Sequence, residues 1–133
     1  MNETRSKILL VDDNLTNLKI GREMLSEYYQ VIPAISAEKM FEVLNTVIPE
    51  IILLDVEMPE MNGYEALKKL KADPRFADVP VIFLTAKSDE VNEQDGLSLG
   101  AVDYVYKPFS ALSLHNRIET HLAFLGRIRH FEP

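Results

Sequence analysis

Short, continuously apolar runs alternate along the chain with stretches of helical spacing. The runs are Ile8, Leu9, Leu10 and Val11; then Val31 and Ile32; then Ile51, Ile52, Leu53 and Leu54; then Val81, Ile82, Phe83 and Leu84; and finally residues 102–106. Strands this uniformly apolar are covered on both faces, as in parallel sheets. Between the runs, Leu18, Gly21, Leu25 and Tyr28 fall on one helical stripe. Ala37, Met40, Phe41, Leu44 and Ile48 make a second, with Ser36 placed as its N-cap. Residues 63–72 and 89–99 predict two further helices. The second of these opens on Asp89 and Glu90, and Gly100 is its terminating residue. A last helix is predicted from residue 110 to about 129, striped by Leu114, Ile118, Leu122 and Leu125.

Strand followed by helix throughout implies right-handed βα units, a mostly parallel sheet and helices on both faces. Five such units suit an open doubly wound α/β sheet better than an eight-stranded barrel. The ligand site of such a sheet lies beyond the carboxyl ends of its strands. The polar residues just past each apolar run are therefore informative. Asp12 and Asp13 come after the first, Asp55 after the third and Thr85 after the fourth, and the fifth runs into Lys107 and Pro108. Parallel strands bring all of these to one edge.

Composition narrows the chemistry. The chain has 133 residues, 47% of them hydrophobic and 26% charged, which is one globular domain's worth. Its 14 Lys and Arg against 21 Asp and Glu give a formal charge of -7. So acidic a domain is expected to bind neither nucleic acid nor anionic membrane directly. Cysteine is absent, which excludes disulfides, zinc–thiolate sites and a cysteine nucleophile. No signal-like or membrane-spanning run is apparent, so a cytoplasmic setting is expected.

Three carboxylates gathered at one edge repel each other, and a divalent cation relieves that repulsion. Carboxylate oxygens with retained waters suit Mg2+. Lys107 adds a fixed positive charge and Thr85 a hydroxyl able to bond an oxyanion. The combination suits phosphoryl transfer, where catalysis is positioning and charge neutralisation. A carboxylate would be the nucleophile and, being ionised near neutral pH, would need no general base. Asp12 and Asp13 are adjacent and suit metal or water ligation. Asp55 stands alone at the end of a central strand, ahead of a loop closed by Asn62 and Gly63, and is the better nucleophile.

The segments Leu10-Val11-Asp12-Asp13-Asn14, Leu54-Asp55-Val56-Glu57-Met58-Pro59-Glu60-Met61-Asn62-Gly63, Leu84-Thr85-Ala86 and Lys107-Pro108-Phe109 together resemble the receiver domain of two-component response regulators, from about Lys7 to Leu125. The resemblance implies a flavodoxin-like sheet of strand order 2-1-3-4-5. It implies that Asp55 accepts a phosphoryl group from a sensor histidine kinase or a histidine phosphotransfer protein. Mg2+, with Mn2+ as a substitute, would be held by Asp13, Asp55 and the backbone carbonyl of Glu57, with Asp12 helping through water. Lys107 would pair with Asp55 or its phosphoryl group, and the Lys107–Pro108 bond would be cis. Thr85 would bond the phosphoryl group, and the switch aromatic would be Tyr104, turning into the space Thr85 leaves. The face made by helix 4, strand 5 and helix 5 would then change, controlling a partner, an attached output domain or a homodimer. Residues 1–126 would form the receiver, and 127–133 a tail or the start of a linker to an output domain outside this chain.

Glu57 and Lys87 are expected to border the site entrance, where pairing would hinder attack by water and lengthen the phosphoryl lifetime. His115, His121 and His130 read as surface residues, Tyr106 as packing or partner surface, and the acidic residues 89–95 as a solvated face. Competing readings are weaker. A haloacid-dehalogenase-like phosphatase needs an Asp where Glu57 stands, and a substrate cap. A flavodoxin-like nucleotide or flavin binder wants a phosphate loop where Asp12, Asp13 and Asn14 stand. A degenerate receiver serving only as an interaction module would not need all the site residues.

Overall fold

The computed structural model describes the backbone over residues 5–86 and 93–131, and side chains over 5–86 and 95–124. The strands are β1 (Lys7–Val11), β2 (Gln30–Ala34), β3 (Ile51–Asp55), β4 (Val81–Ala86) and β5 (Asp103–Lys107). They form one parallel sheet in the order β2-β1-β3-β4-β5, which is the expected doubly wound arrangement. Every residue of β3 is buried, as are the first five of β4. This accounts for their unbroken apolar character.

Helices α1 (Leu15–Leu25), α2 (Ala37–Leu44), α3 (Gly63–Ala72), α4 (Glu93–Ser98) and α5 (Ala111–Phe131) follow the strands in turn. Two apolar cores result. On one face Leu9, Val11, Ile52, Leu54, Val81 and Phe83 pack with α2, α3 and Tyr104. On the other Ile8, Leu10, Leu53, Ile82 and Leu84 pack with Leu18 and Leu25 of α1 and Leu114 and Ile118 of α5. Alternate residues of each strand thus feed opposite cores.

The helices start where side chains can satisfy their first N–H groups. Asn14 accepts from Asn17 N and Ser36 from Lys39 N. Asn62 and Glu65 form a capping box on α3, and Ser110 Oγ accepts from Ser113 N ahead of α5. Gly100, with φ of 111°, turns the chain into β5.

Several sequence expectations need correction. The α1 stripe does not extend to Tyr28. The helix ends at Leu25, the chain turns, and Tyr29 is buried while Tyr28 is 44% exposed. Likewise α2 stops at Leu44, so Ile48 is exposed. Strand β5 begins one residue later than predicted, leaving Val102 exposed. Asp89 and Glu90 lie outside the described residues.

Candidate functional site

The carboxyl ends of β1, β3 and β5 bring four charged side chains together. Asp12 and Asp55 are buried, and Asp13 is exposed beside them. One carboxylate oxygen from each of the three lies within 4.8 Å of the others. Lys107 Nζ donates to Asp12 Oδ2 at 2.8 Å and reaches Asp55 Oδ1 at 3.5 Å. Thr85, fully buried at the end of β4, lies in register with Tyr106, one position before Lys107. The Lys107–Pro108 bond is cis.

Local sequence explains how Asp55 comes to be presented. The loop after β3 folds back so that Gly63 N donates to Val56 O at 2.9 Å. A Cβ at Gly63 would fall 2.5 Å from the Asp55 carbonyl oxygen. Only glycine lets α3 start this close to the strand end. Glu60 adopts φ of 69° in the same loop, and Met58 is buried in the core on the α2–α3 side.

Electrostatics set this cluster apart. Burial, and next the charge of Asp12, push the Asp55 carboxyl above its ordinary value, while Lys107 pulls the other way. Asp13, its carboxylate close to that of Asp55, pushes in the same direction as Asp12. Burial also opposes the charge on Lys107, but the bond to Asp12 and the charge of Asp55 outweigh it and hold the ammonium. One lysine faces three carboxyl groups, and their mutual repulsion is costly. An all-oxygen donor set with surplus negative charge fits a hard divalent cation such as Mg2+.

The other predicted residues lie around this cluster or apart from it. Glu57 is exposed on the loop after Asp55, and Lys87 lies outside the described residues. Tyr104 is buried against α4, and Tyr106 is half-buried. Two of the histidines are not simple surface residues. His115 stacks on Tyr28 with ring centroids 4.1 Å apart and meets Tyr29 Oη at 3.0 Å through Nδ1. His121 Nε2 lies 3.1 Å from Asp103 Oδ2, beside Arg117. The side chain of His130 is outside the described set. Among the described residues, no helix is long and apolar enough to cross a membrane.

Comparison with known proteins decides what this constellation is. A family model of the response regulator receiver domain matches residues 8–119. The chain belongs to the response regulator receiver family. This receiver is 44% identical over 115 residues to a probable cyclic di-GMP phosphodiesterase of Vibrio cholerae, covering 86% of the chain and 26% of that protein. It is 35% identical over 119 residues to the transcriptional regulatory protein YvrH of Bacillus subtilis, covering 88% of the chain and 49% of that protein. The chain thus spans half or less of these curated relatives. Among solved structures it superposes, with a TM-score of 0.82 and 27% identity, on the receiver domain of a Pseudomonas aeruginosa sensor histidine kinase. That match covers 90% of this chain and 99% of that one, which carries a magnesium ion in its active-site cleft. Membership of the family supports a phosphoacceptor signalling role.

Proposed function

We propose that this receiver takes a phosphoryl group onto Asp55 from a phosphohistidine of a sensor kinase or phosphotransfer protein. The observation that carries the reading is the meeting of the Asp12, Asp13 and Asp55 carboxylates with Lys107 at one sheet edge. An Asp55 oxygen attacks phosphorus in line, the P–N bond breaks, and its electron pair returns to the donor imidazole, which takes up a proton. Asp13, Asp55 and the Glu57 backbone carbonyl, with Asp12 helping through water, would hold Mg2+, which would supply charge neutralisation for the oxygens of the transferring group. Lys107 sits within reach of the same oxygens and compensates the charge the new phosphoryl brings to Asp55. Thr85 donates its hydroxyl to that phosphoryl.

The output is a shift in population. A phosphoryl group that bonds Thr85 and Lys107 in one arrangement better than in another favours that arrangement. Tyr104 and the surface of α4, β5 and α5 report the change to a partner, a second copy or an output domain joined beyond residues 127–133. The setting is the cytoplasm, where such donors act.

The test is intact mass after incubation with Mg2+ and acetyl phosphate. The wild type gains one phosphoryl group and Asp55→Ala gains none. Gain in both moves the site to another carboxylate. No gain in either, with no Mg2+ binding, leaves an interaction module.

A further inference from the structure

Gly96 sits inside helix α4, where glycine is a poorer helix former than alanine. A Cβ built there would fall 2.0 Å from Tyr104 Oη, 2.8 Å from Tyr104 Cζ and 2.9 Å from Phe83 Cε2. The side chain missing from α4 is thus replaced by the tip of a ring from β5. That ring is only 6% exposed and lies tilted on Phe83 at 5.3 Å between centroids. Tyr64 of α3 meets the same Phe83 ring edge-on at 5.1 Å. Its hydroxyl lies 2.9 Å from that of Tyr104. Three elements therefore converge on one aromatic side chain, whose polar end is provided with a partner in its buried position.

We propose that Gly96 and the Tyr64 hydroxyl form a socket that holds Tyr104 inward before any phosphoryl group arrives. They thereby set the population of the α4–β5–α5 surface jointly with Asp55. This deepens the receiver reading above and rests on it. Turning the ring outward breaks the hydroxyl pair and opens the space over Gly96. Turning it inward removes a large ring from the surface and seats α4 on β5. Coupling between sites is reciprocal. The phosphoryl site and the inward ring favour each other, so a change that lowers the inward fraction of Tyr104 lowers affinity at Asp55 in proportion to that fraction, although Gly96 and Tyr64 touch neither metal nor phosphoryl. Tyr64 is in this sense a positioning residue.

The experiment uses the chain labelled with 3-fluorotyrosine, the Tyr104 resonance being assigned with Tyr104→Phe. Exposure of that resonance to a soluble paramagnetic agent is measured, and Mg2+ with beryllofluoride is titrated as the phosphoryl mimic. In the wild type, Tyr104 is mostly shielded, and the mimic shields it further. Gly96→Ala exposes it and weakens the mimic about tenfold or more. Tyr64→Phe removes one hydroxyl from the socket, exposes Tyr104 in part and weakens the mimic less than Gly96→Ala does, by no more than about fivefold, the limit one lost hydrogen bond sets. It remains informative if Gly96→Ala fails to fold. An exposed Tyr104 in the wild type overturns the socket. So does a shielded Tyr104 with unchanged mimic affinity in Tyr64→Phe. A wild type that shields Tyr104 but takes up neither the mimic nor a phosphoryl group from acetyl phosphate overturns the receiver reading. The coupling falls with it, and the socket is left as packing alone.

Discussion

Two polar clusters are built into this domain, and they are put together on opposite principles. Between the end of α1 and the middle of α5, Tyr29 Oη donates to Glu119 Oε2 at 2.6 Å and meets His115 Nδ1 at 3.0 Å. Burial, and then the bond to Glu119, hold the Tyr29 phenol well above its ordinary value, so the donor stays protonated. Donors and acceptors are matched and no like charges meet. At the carboxyl edge of the sheet, by contrast, three carboxyl groups crowd one lysine. The first cluster is complete in itself and ties two helices together. The second carries surplus negative charge, which a divalent cation would balance. Within one fold, a mismatched cluster points to a ligand and a matched one to stability.

The comparison can be broken most sharply at Asp55. Asp55→Asn abolishes phosphoryl uptake, read by intact mass. Because it removes a buried like charge, it raises the metal-free stability in urea by about 1–2 kcal/mol. A loss of stability there would show the cluster to be structural. Next in size, Asp13→Asn weakens Mg2+ binding at least about tenfold by calorimetry while leaving the metal-free melting temperature unchanged or higher. Tyr29→Phe should do the reverse. It costs about 1–2 kcal/mol of stability, because Glu119 and His115 lose their shared partner, and it leaves phosphoryl uptake unaltered.

A smaller effect concerns Asp103 and pH. Burial opposes its charge, but His121, Arg117 and the Tyr104 backbone N–H outweigh that and hold its carboxyl below the usual 3.8. A depressed carboxyl stabilises above its unfolded value. Its contribution therefore fades as pH falls below 3.8 and through the lower folded value. Chemical denaturation at stepped pH should show this acid-side slope reduced in Asp103→Asn. Smallest is Glu57→Ala. An exposed side chain changes the aspartyl-phosphate lifetime by no more than about fivefold, toward faster hydrolysis. An unchanged decay rate removes Glu57 from any role at the entrance.

The sequence made the acidic edge legible because each member is local to a strand end. An apolar run stops, an aspartate, threonine or lysine comes next, and parallel strands do the rest. The sheet and the helix faces of Leu18, Leu25, Met40 and Leu44 could be read for the same reason. The matched cluster could not. Tyr29 and its partners His115 and Glu119 lie 86 and 90 positions apart, and only the docking of α5 on α1 joins them. Helical periodicity also pointed to Tyr28, because it cannot see that α1 ends and the backbone turns before Tyr29. The meeting of Tyr64 with Tyr104 was hidden likewise. Its one sequence signal is a glycine placed inside a helix, which propensity alone reads as a flaw.

Strand β2 forms one margin of the sheet and carries Pro33, opposite Leu10 of β1. Gln30 N donates to Ser6 O, and Ala34 O accepts from Asp12 N, so the even-numbered residues of β2 pair inward. By alternation Pro33 faces the open side, where its missing N–H interrupts the row of donors on which another strand would template. Growth of the sheet past β2 is thereby discouraged. Crowding this domain against its neighbours on that flank should give side-chain recognition, which can dissociate within a signalling cycle, rather than the self-propagating backbone ladders of an aggregate.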